Sequence, residues 1–157
     1  SLLVEDFENP EESFYVEKSG PRFFNLYNIH KELIADYDTA RLLDMLAEYR
    51  DKNYEVYVTG MSNTAKDSIL RYNHFKTITL TDVNGEKTTL DMYRKLEPDP
   101  YYLDAIIGRE DVAQEEPYNR DKFYAVLNGN TKNLVQCQYF HFDRQNQPLS
   151  YFLKQQQ

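Results

Sequence analysis

The sequence predicts an α+β fold: a mostly antiparallel sheet, two main helices (about 38–52 and 63–72) packed on one face, and a hairpin-rich C-terminal half. Three observations predict it. Aromatic and β-branched residues cluster in short runs that alternate between apolar and polar positions. Two stretches, 38–52 and 63–72, carry apolar residues at three- and four-residue spacing. Turn-forming pairs, Gly20-Pro21, Asn84-Gly85 and Gly129-Asn130, punctuate the β-prone runs.

Taken in order, residues 13–18 and 22–29 are β-prone and flank Gly20-Pro21, so they read as two strands. The first helix follows. Asp36 or Asp38 can cap it, because a carboxylate accepts the orphan amide hydrogens of a first turn. Leu42, Met45, Leu46 and Tyr49 then form one apolar stripe, and Asn53 ends the element. Residues 54–59 read as a strand that Gly60 breaks. Ser62 caps a second helix over 63–72, with Ala65, Ile69 and Tyr72 as its stripe and Leu70 widening it.

Residues 74–96 read as a hairpin whose register can be argued. A two-residue loop at Asn84-Gly85 would set Ile78 opposite Asp91 and put an acid on the apolar face. A three-residue loop, Val83-Asn84-Gly85, sets Leu80 opposite Thr88 and Ile78 opposite Leu90. Leu80, Ile78, Leu90 and Met92 then share one face, and burial makes a one-residue slip costly. The expected turn is type I, with Gly85 left-handed in a G1 bulge. Pro98 and Pro100 end the hairpin, 101–107 forms a helical turn capped by Gly108, and 109–121 is an acidic loop. The remainder reads as strands 122–128, 134–143 and 148–153, with Pro148 suited to an edge that needs no amide donor.

With 157 residues, 41% of them apolar, the chain is long enough to bury one sizeable core. The expected organisation is an acidic N-terminal segment (1–12), one domain (13–153), and a polar tail or linker start (154–157). The ends suggest a piece of a larger soluble, cytoplasmic protein, with no signal peptide and no membrane span. One cysteine excludes a disulfide framework and multi-cysteine metal sites. A net charge of −8 has the wrong sign for a nucleic-acid binder. The acidity is concentrated at 1–12 and at 97–116, where seven acids face Arg109 alone. Each patch reads as a solvated segment or as a docking surface for a basic partner.

No catalytic pattern is legible. His30, His74 and His141 show neither H-x-x-x-H nor H-E-x-x-H spacing, so neither a metal nor another cofactor is expected. Cys137 and His141 would lie about 13 Å apart on one strand, too far for a dyad, so Cys137 reads as a small buried hydrophobe. Asp36, Asp38 and Asp44 suggest a carboxylate site, but capping explains the first two. The turn Gly60-Met61-Ser62-Asn63-Thr64 joins a strand to a helix without the glycines of a phosphate loop.

The 14 tyrosines suit an interaction surface, being large, amphipathic and low in side-chain entropy. The leading expectation is therefore a non-enzymatic module that binds a protein partner around Tyr101, Tyr102, Glu110 and Asp111. The second is a small-molecule-sensing domain with a pocket between helix 38–52 and the sheet. The third is an enzyme built from His30, Asp36 and His141, which would have to converge in the fold.

Two local resemblances accompany the sensing reading. Asp38-Thr39-Ala40-Arg41-Leu42-Leu43 and Glu55-Val56-Tyr57-Val58-Thr59-Gly60 resemble part of a STAS domain, over under a third of the chain. The phosphorylatable serine of that family's regulatory members is matched at best by Thr39, and the antiparallel second half departs from its fold. Residues 139–152 resemble the closing hairpin of ligand-sensing UTRA domains. Neither match assigns the chain to a family.

Overall fold

The computed structural model describes residues 1–49, 56–96 and 118–155. Nine strands build one sheet: β1 (Leu2–Asp6), β2 (Phe14–Lys18), β3 (Phe24–Asn28), β4 (Leu33–Ile34), β5 (Val56–Tyr57), β6 (His74–Thr81), β7 (Lys87–Leu96), β8 (Tyr118–Leu127) and β9 (Val135–Gln138). Their spatial order is β4-β3-β2-β1-β6-β7-β8-β9-β5, and every neighbouring pair is antiparallel. Both edge strands are two residues long, which leaves little unpaired ladder for another chain to join. The helices are α1 (Thr39–Ala47), α2 (Asn63–Tyr72) and a single turn, α3 (Tyr139–Phe142).

The mixed α/β class and the large antiparallel sheet are as the sequence predicts. So are the two caps: Asp38 accepts from the Arg41 amide at 3.1 Å, and Ser62 accepts from the Ala65 amide at 3.2 Å. The β6–β7 hairpin has the register that burial demanded, Ile78 opposite Leu90 and Leu80 opposite Thr88. Gly85 has φ +83 and its amide donates to the Asp82 carbonyl, closing the turn.

Side-chain alternation divides the sheet into two faces. One face carries Leu2, Val4, Phe14, Val16, Leu26, Ile78, Met92, Phe123, Ala125, Val135 and Cys137 in a continuous core. Leu42 and Met45 of α1, Phe142 of α3, and Leu149 and Phe152 near the C-terminus close over it. The other face carries Tyr93, Val126, Leu134 and Tyr124, against which Ile69 and Leu70 of α2 pack. Met92 and Tyr93 are neighbours on β7, as are Ala125 and Val126 on β8, so α1 and α2 lie on opposite faces. The expectation of both helices on one face is thereby corrected. Helical periodicity shows that a helix has an apolar side, but not which side of a sheet receives it.

Further expectations change. The acidic segment 1–12 contains β1, which sits between β2 and β6 with Leu2 and Val4 buried. Of its acids only Glu5 and Asp6 belong to the strand, and Asp6 lies opposite the buried Lys76. Residues 118–121 belong to β8 rather than to a loop. The strand expected over 134–143 stops at Gln138 and coils into α3, and the edge strand expected over 148–153 is a 3₁₀ turn at Leu149–Tyr151. The hairpin likeness of 139–152 to a UTRA domain is thus absent from the fold. The α2 stripe is also thinner than expected: Ile69 and Leu70 are half-buried, but Tyr72 is exposed. The expected helical turn at 101–107, its Gly108 cap, the loop over 109–117 and the start of the strand at 54 lie outside the described residues.

Candidate ligand-binding site

The core face is not fully filled. Between the end of α1, the α3 segment and strands β6–β9 lies a cavity of about 420 Å³. Its floor is apolar: Ile78 and Leu80 from β6, Leu90 from β7, and Val135 and Cys137 from β9. Phe142 of α3 and the rings of Tyr49 and Tyr57 supply walls. Thr88 and three amides of the β8–β9 connection, Asn128, Asn130 and Asn133, surround its more polar end. Among the described residues, no charged side chain lines it.

The local sequence explains this gap. Leu42 and Met45 anchor α1 to the sheet, and the last turn tightens, with the Glu48 and Tyr49 amides donating to the carbonyls of Met45 and Leu46. Tyr49 therefore lies just beyond the helix end, half-buried against the core cluster. Asn128 and Gly129 both have positive φ, which turns the chain sharply out of β8 and lifts the loop into a rim. The Asn128 side-chain carbonyl accepts from the Thr89 amide at 2.9 Å and holds that rim to β7.

Two buried side-chain atoms among the described residues have no hydrogen-bond partner, the Tyr49 hydroxyl and Gln145 Oε1, and both belong to residues that line this cavity. Gln145 is 1% exposed. Its amide orientation is determined, because Nε2 donates to the Glu48 carbonyl at 2.8 Å, a bond only the nitrogen can make. Oε1 is thereby left as an acceptor without a donor. Burial pushes the Tyr49 phenol well above its ordinary pKa, so it stays protonated and can donate or accept. An unsatisfied buried polar atom costs about 1–3 kcal/mol, so the fold holds both of these groups at the expense of its own stability.

Other polar clusters have their partners. On the core face Lys76 is buried, donating to Asn146 Oδ1 at 2.7 Å and lying 3.7 Å from its cross-strand neighbour Asp6. Burial lowers its pKa, and Asp6 opposes that shift. Arg94 forms a two-pronged ion pair with Glu8 at 3.0 and 2.7 Å, donates to the Tyr139 hydroxyl and stacks over Phe75. On the opposite face Thr77 donates to Asp91 at 2.6 Å and meets His74 Nε2 at 2.8 Å. The Thr77 hydroxyl bridges the other two, whereas a nucleophilic triad would need the histidine in the middle.

The sequence-predicted residues fall elsewhere. Tyr101, Tyr102, Glu110 and Asp111 lie outside the described residues. His30 sits between β3 and β4 and meets the Glu11 carboxylate at 3.1 Å. Asp36 pairs with Lys154 beside α1, and His141 lies on α3 with its ring against Phe140. The fold gives each of the three its own neighbourhood and does not assemble them into one site. Among the described residues no group of His, Cys, Asp and Glu could hold a metal, and no helix is long and apolar enough to cross a membrane. Cys137 is buried, as expected. Sequence reasoning placed a pocket between helix 38–52 and the sheet, but it missed Gln145, whose only signal was an uncharged amide in a polar run. Comparison with protein-family models, curated proteins and solved structures gives no match for the chain.

Proposed function

We propose that this domain binds a small, predominantly apolar molecule in the cavity between the end of α1 and strands β6–β9, as a ligand-sensing domain does. The observation that carries this reading is a cavity with an apolar floor, Ile78, Leu80, Leu90, Val135 and Cys137, a polar rim, and no charged side chain among its described lining residues. A volume of about 420 Å³ suits a small ligand, since such sites run from roughly 300 to 1,000 Å³. The sensing step has a supporting element. Glu48, at the end of α1, is held by Gln145 through its carbonyl and by Arg144 through its carboxylate at 2.7 Å. An occupant touching Tyr49 and Gln145 would tighten the join between α1 and the α3 segment.

The test is titration with Nile red, a neutral, environment-sensitive dye, against the protein and its Thr88→Trp variant. Thr88 is exposed at the cavity's end, so an indole there obstructs entry and leaves the core alone. Saturable one-to-one binding that the variant loses supports the reading; equal binding by both proteins removes the cavity from consideration. Partner docking through Tyr101, Tyr102, Glu110 and Asp111 rests on sequence alone and takes second place. Its check is whether Tyr101→Ala with Tyr102→Ala weakens capture of a basic partner.

A further inference from the structure

We propose a second ligand site, separate from the cavity between α1 and β6–β9: a groove on the other face of the sheet, over β1, β2 and β3, that takes a small organic cation with an apolar body. The groove holds about 630 Å³, and small-molecule sites run from roughly 300 to 1,000 Å³. Strand alternation places its residues. Leu2 and Val4 are buried in the core, so Leu3 and Glu5 lie on the opposite face of β1. Leu3 pairs with Tyr15, and Tyr15 pairs with Tyr27, so the three form one row across the strands. The two tyrosine rings lie 5.9 Å apart, centre to centre. Phe7 and Ile29, both exposed, also line the groove. On this same face α2 packs further along, on Tyr93, Val126 and Leu134.

Charge selects the ligand. Glu5 lines the groove, and among the described residues its carboxylate has no ion pair and no hydrogen bond. Glu17 stands two residues past Tyr15 on the same face of β2, is exposed, and is equally unpaired among the described residues. The tyrosine row therefore has a carboxylate on either side. The other acid of the lining, Asp6, is already occupied. Its Oδ1 accepts from the Glu8 and Asn9 amides, and its Oδ2 lies 3.7 Å from Lys76. Lys31 is the one cation among the described lining residues, and it follows β3 in the chain. Its backbone is two strand spacings from Glu5, about 10 Å, which is about one Debye length at 0.1 M salt. A cation held at Glu5 is therefore largely screened from it. The negative face of a tyrosine ring attracts a cation, and Glu5 supplies an ion pair without giving up a partner. An anion would meet Glu5 and Glu17 at like charge. A neutral molecule would strip water from Glu5 and offer nothing in exchange.

The experiment is a proton NMR titration at pH 7 with three phenols of one shape: 3-hydroxyphenyltrimethylammonium, its neutral isostere 3-tert-butylphenol, and 3-hydroxybenzoate. The ammonium should bind one to one and about tenfold or more tightly than either of the others. Glu5→Gln keeps the side chain's size and breaks no protein contact; it should weaken the ammonium about threefold and leave 3-tert-butylphenol unchanged. Tyr15→Leu keeps an apolar wall but removes a ring face, and should also weaken the ammonium about threefold. Raising the salt should weaken the ammonium alone. Thr88→Trp, which obstructs the cavity between α1 and β6–β9, should leave ammonium binding as it is, so the two sites stand or fall separately. Ammonium affinity no better than that of either other probe, or unchanged by Glu5→Gln, overturns the cation site. Loss of ammonium binding in Thr88→Trp assigns it to the other cavity and overturns the site as well.

Discussion

Tyr49 carries a phenol that the fold desolvates without giving it a hydrogen-bond partner. In the ligand-free protein that oxygen is a cost, and Tyr49→Phe should raise stability by about 1 kcal/mol. Urea denaturation checks this, through a higher midpoint at unchanged slope. Glu8 shows the reverse case. The hydrogen bonds from Arg94 hold its carboxyl below the ordinary value of 4.5, against the opposing effect of burial. Its folded pKa is therefore below its unfolded pKa. Between the two the unfolded chain binds more protons, so this stabilisation is present above about pH 4.5 and is lost as pH falls through the folded value. Comparing unfolding midpoints at pH 6 and pH 3 should show a smaller drop for Glu8→Gln than for the parent. The difference should stay below about 1 kcal/mol, because Glu8 is partly exposed and screened.

At the scale of elements, local chemistry decides where segments start and turn. Asp38 caps α1 through the Arg41 amide, and removing it by Asp38→Ala should cost about 1 kcal/mol. Gly85 has φ +83 with open space around it, so Gly85→Ala meets no clash but forces an L-residue into the left-handed region. The expected loss is about 1 kcal/mol, read as a lowered thermal midpoint with the hairpin register retained. Both features were legible because they depend on neighbours within five residues. The C-terminal elements were not. Val135 to Phe142 reads as one apolar-rich strand, yet the chain coils at Tyr139, where that hydroxyl meets Arg94 and Phe142 turns into the core. Contacts distant in sequence overrode strand propensity there.

For the whole molecule, β1 is the element on which the sheet depends. It joins β2 on one side to β6 on the other, with Val4 facing both Phe14 and Ile78. Val4→Ala should cost about 2 kcal/mol or more, since the cavity it leaves lies between two ladders. Deleting residues 1–6 should abolish cooperative thermal unfolding; a truncated protein that still melts in one transition would show that the two halves of the sheet stand alone. A saturating ligand of the proposed class should raise the unfolding midpoint of the whole domain in proportion to the logarithm of its concentration.

What the sequence by itself determined is what depends on period and on near neighbours: two amphipathic helices, their Asp38 and Ser62 caps, the β6–β7 register, and the antiparallel class. A buried acid opposite Ile78 was too costly, so one loop length was left. Tertiary structure decided the rest. It sent α2 to the face opposite α1, drew an acid-rich N-terminal segment into the middle of the sheet, and kept His30, Asp36 and His141 apart. It also brought Gln145 to the Glu48 carbonyl at the end of α1, 97 residues away in sequence. These outcomes follow from which surfaces bury one another, and the energy of that choice is shared among residues far apart in sequence.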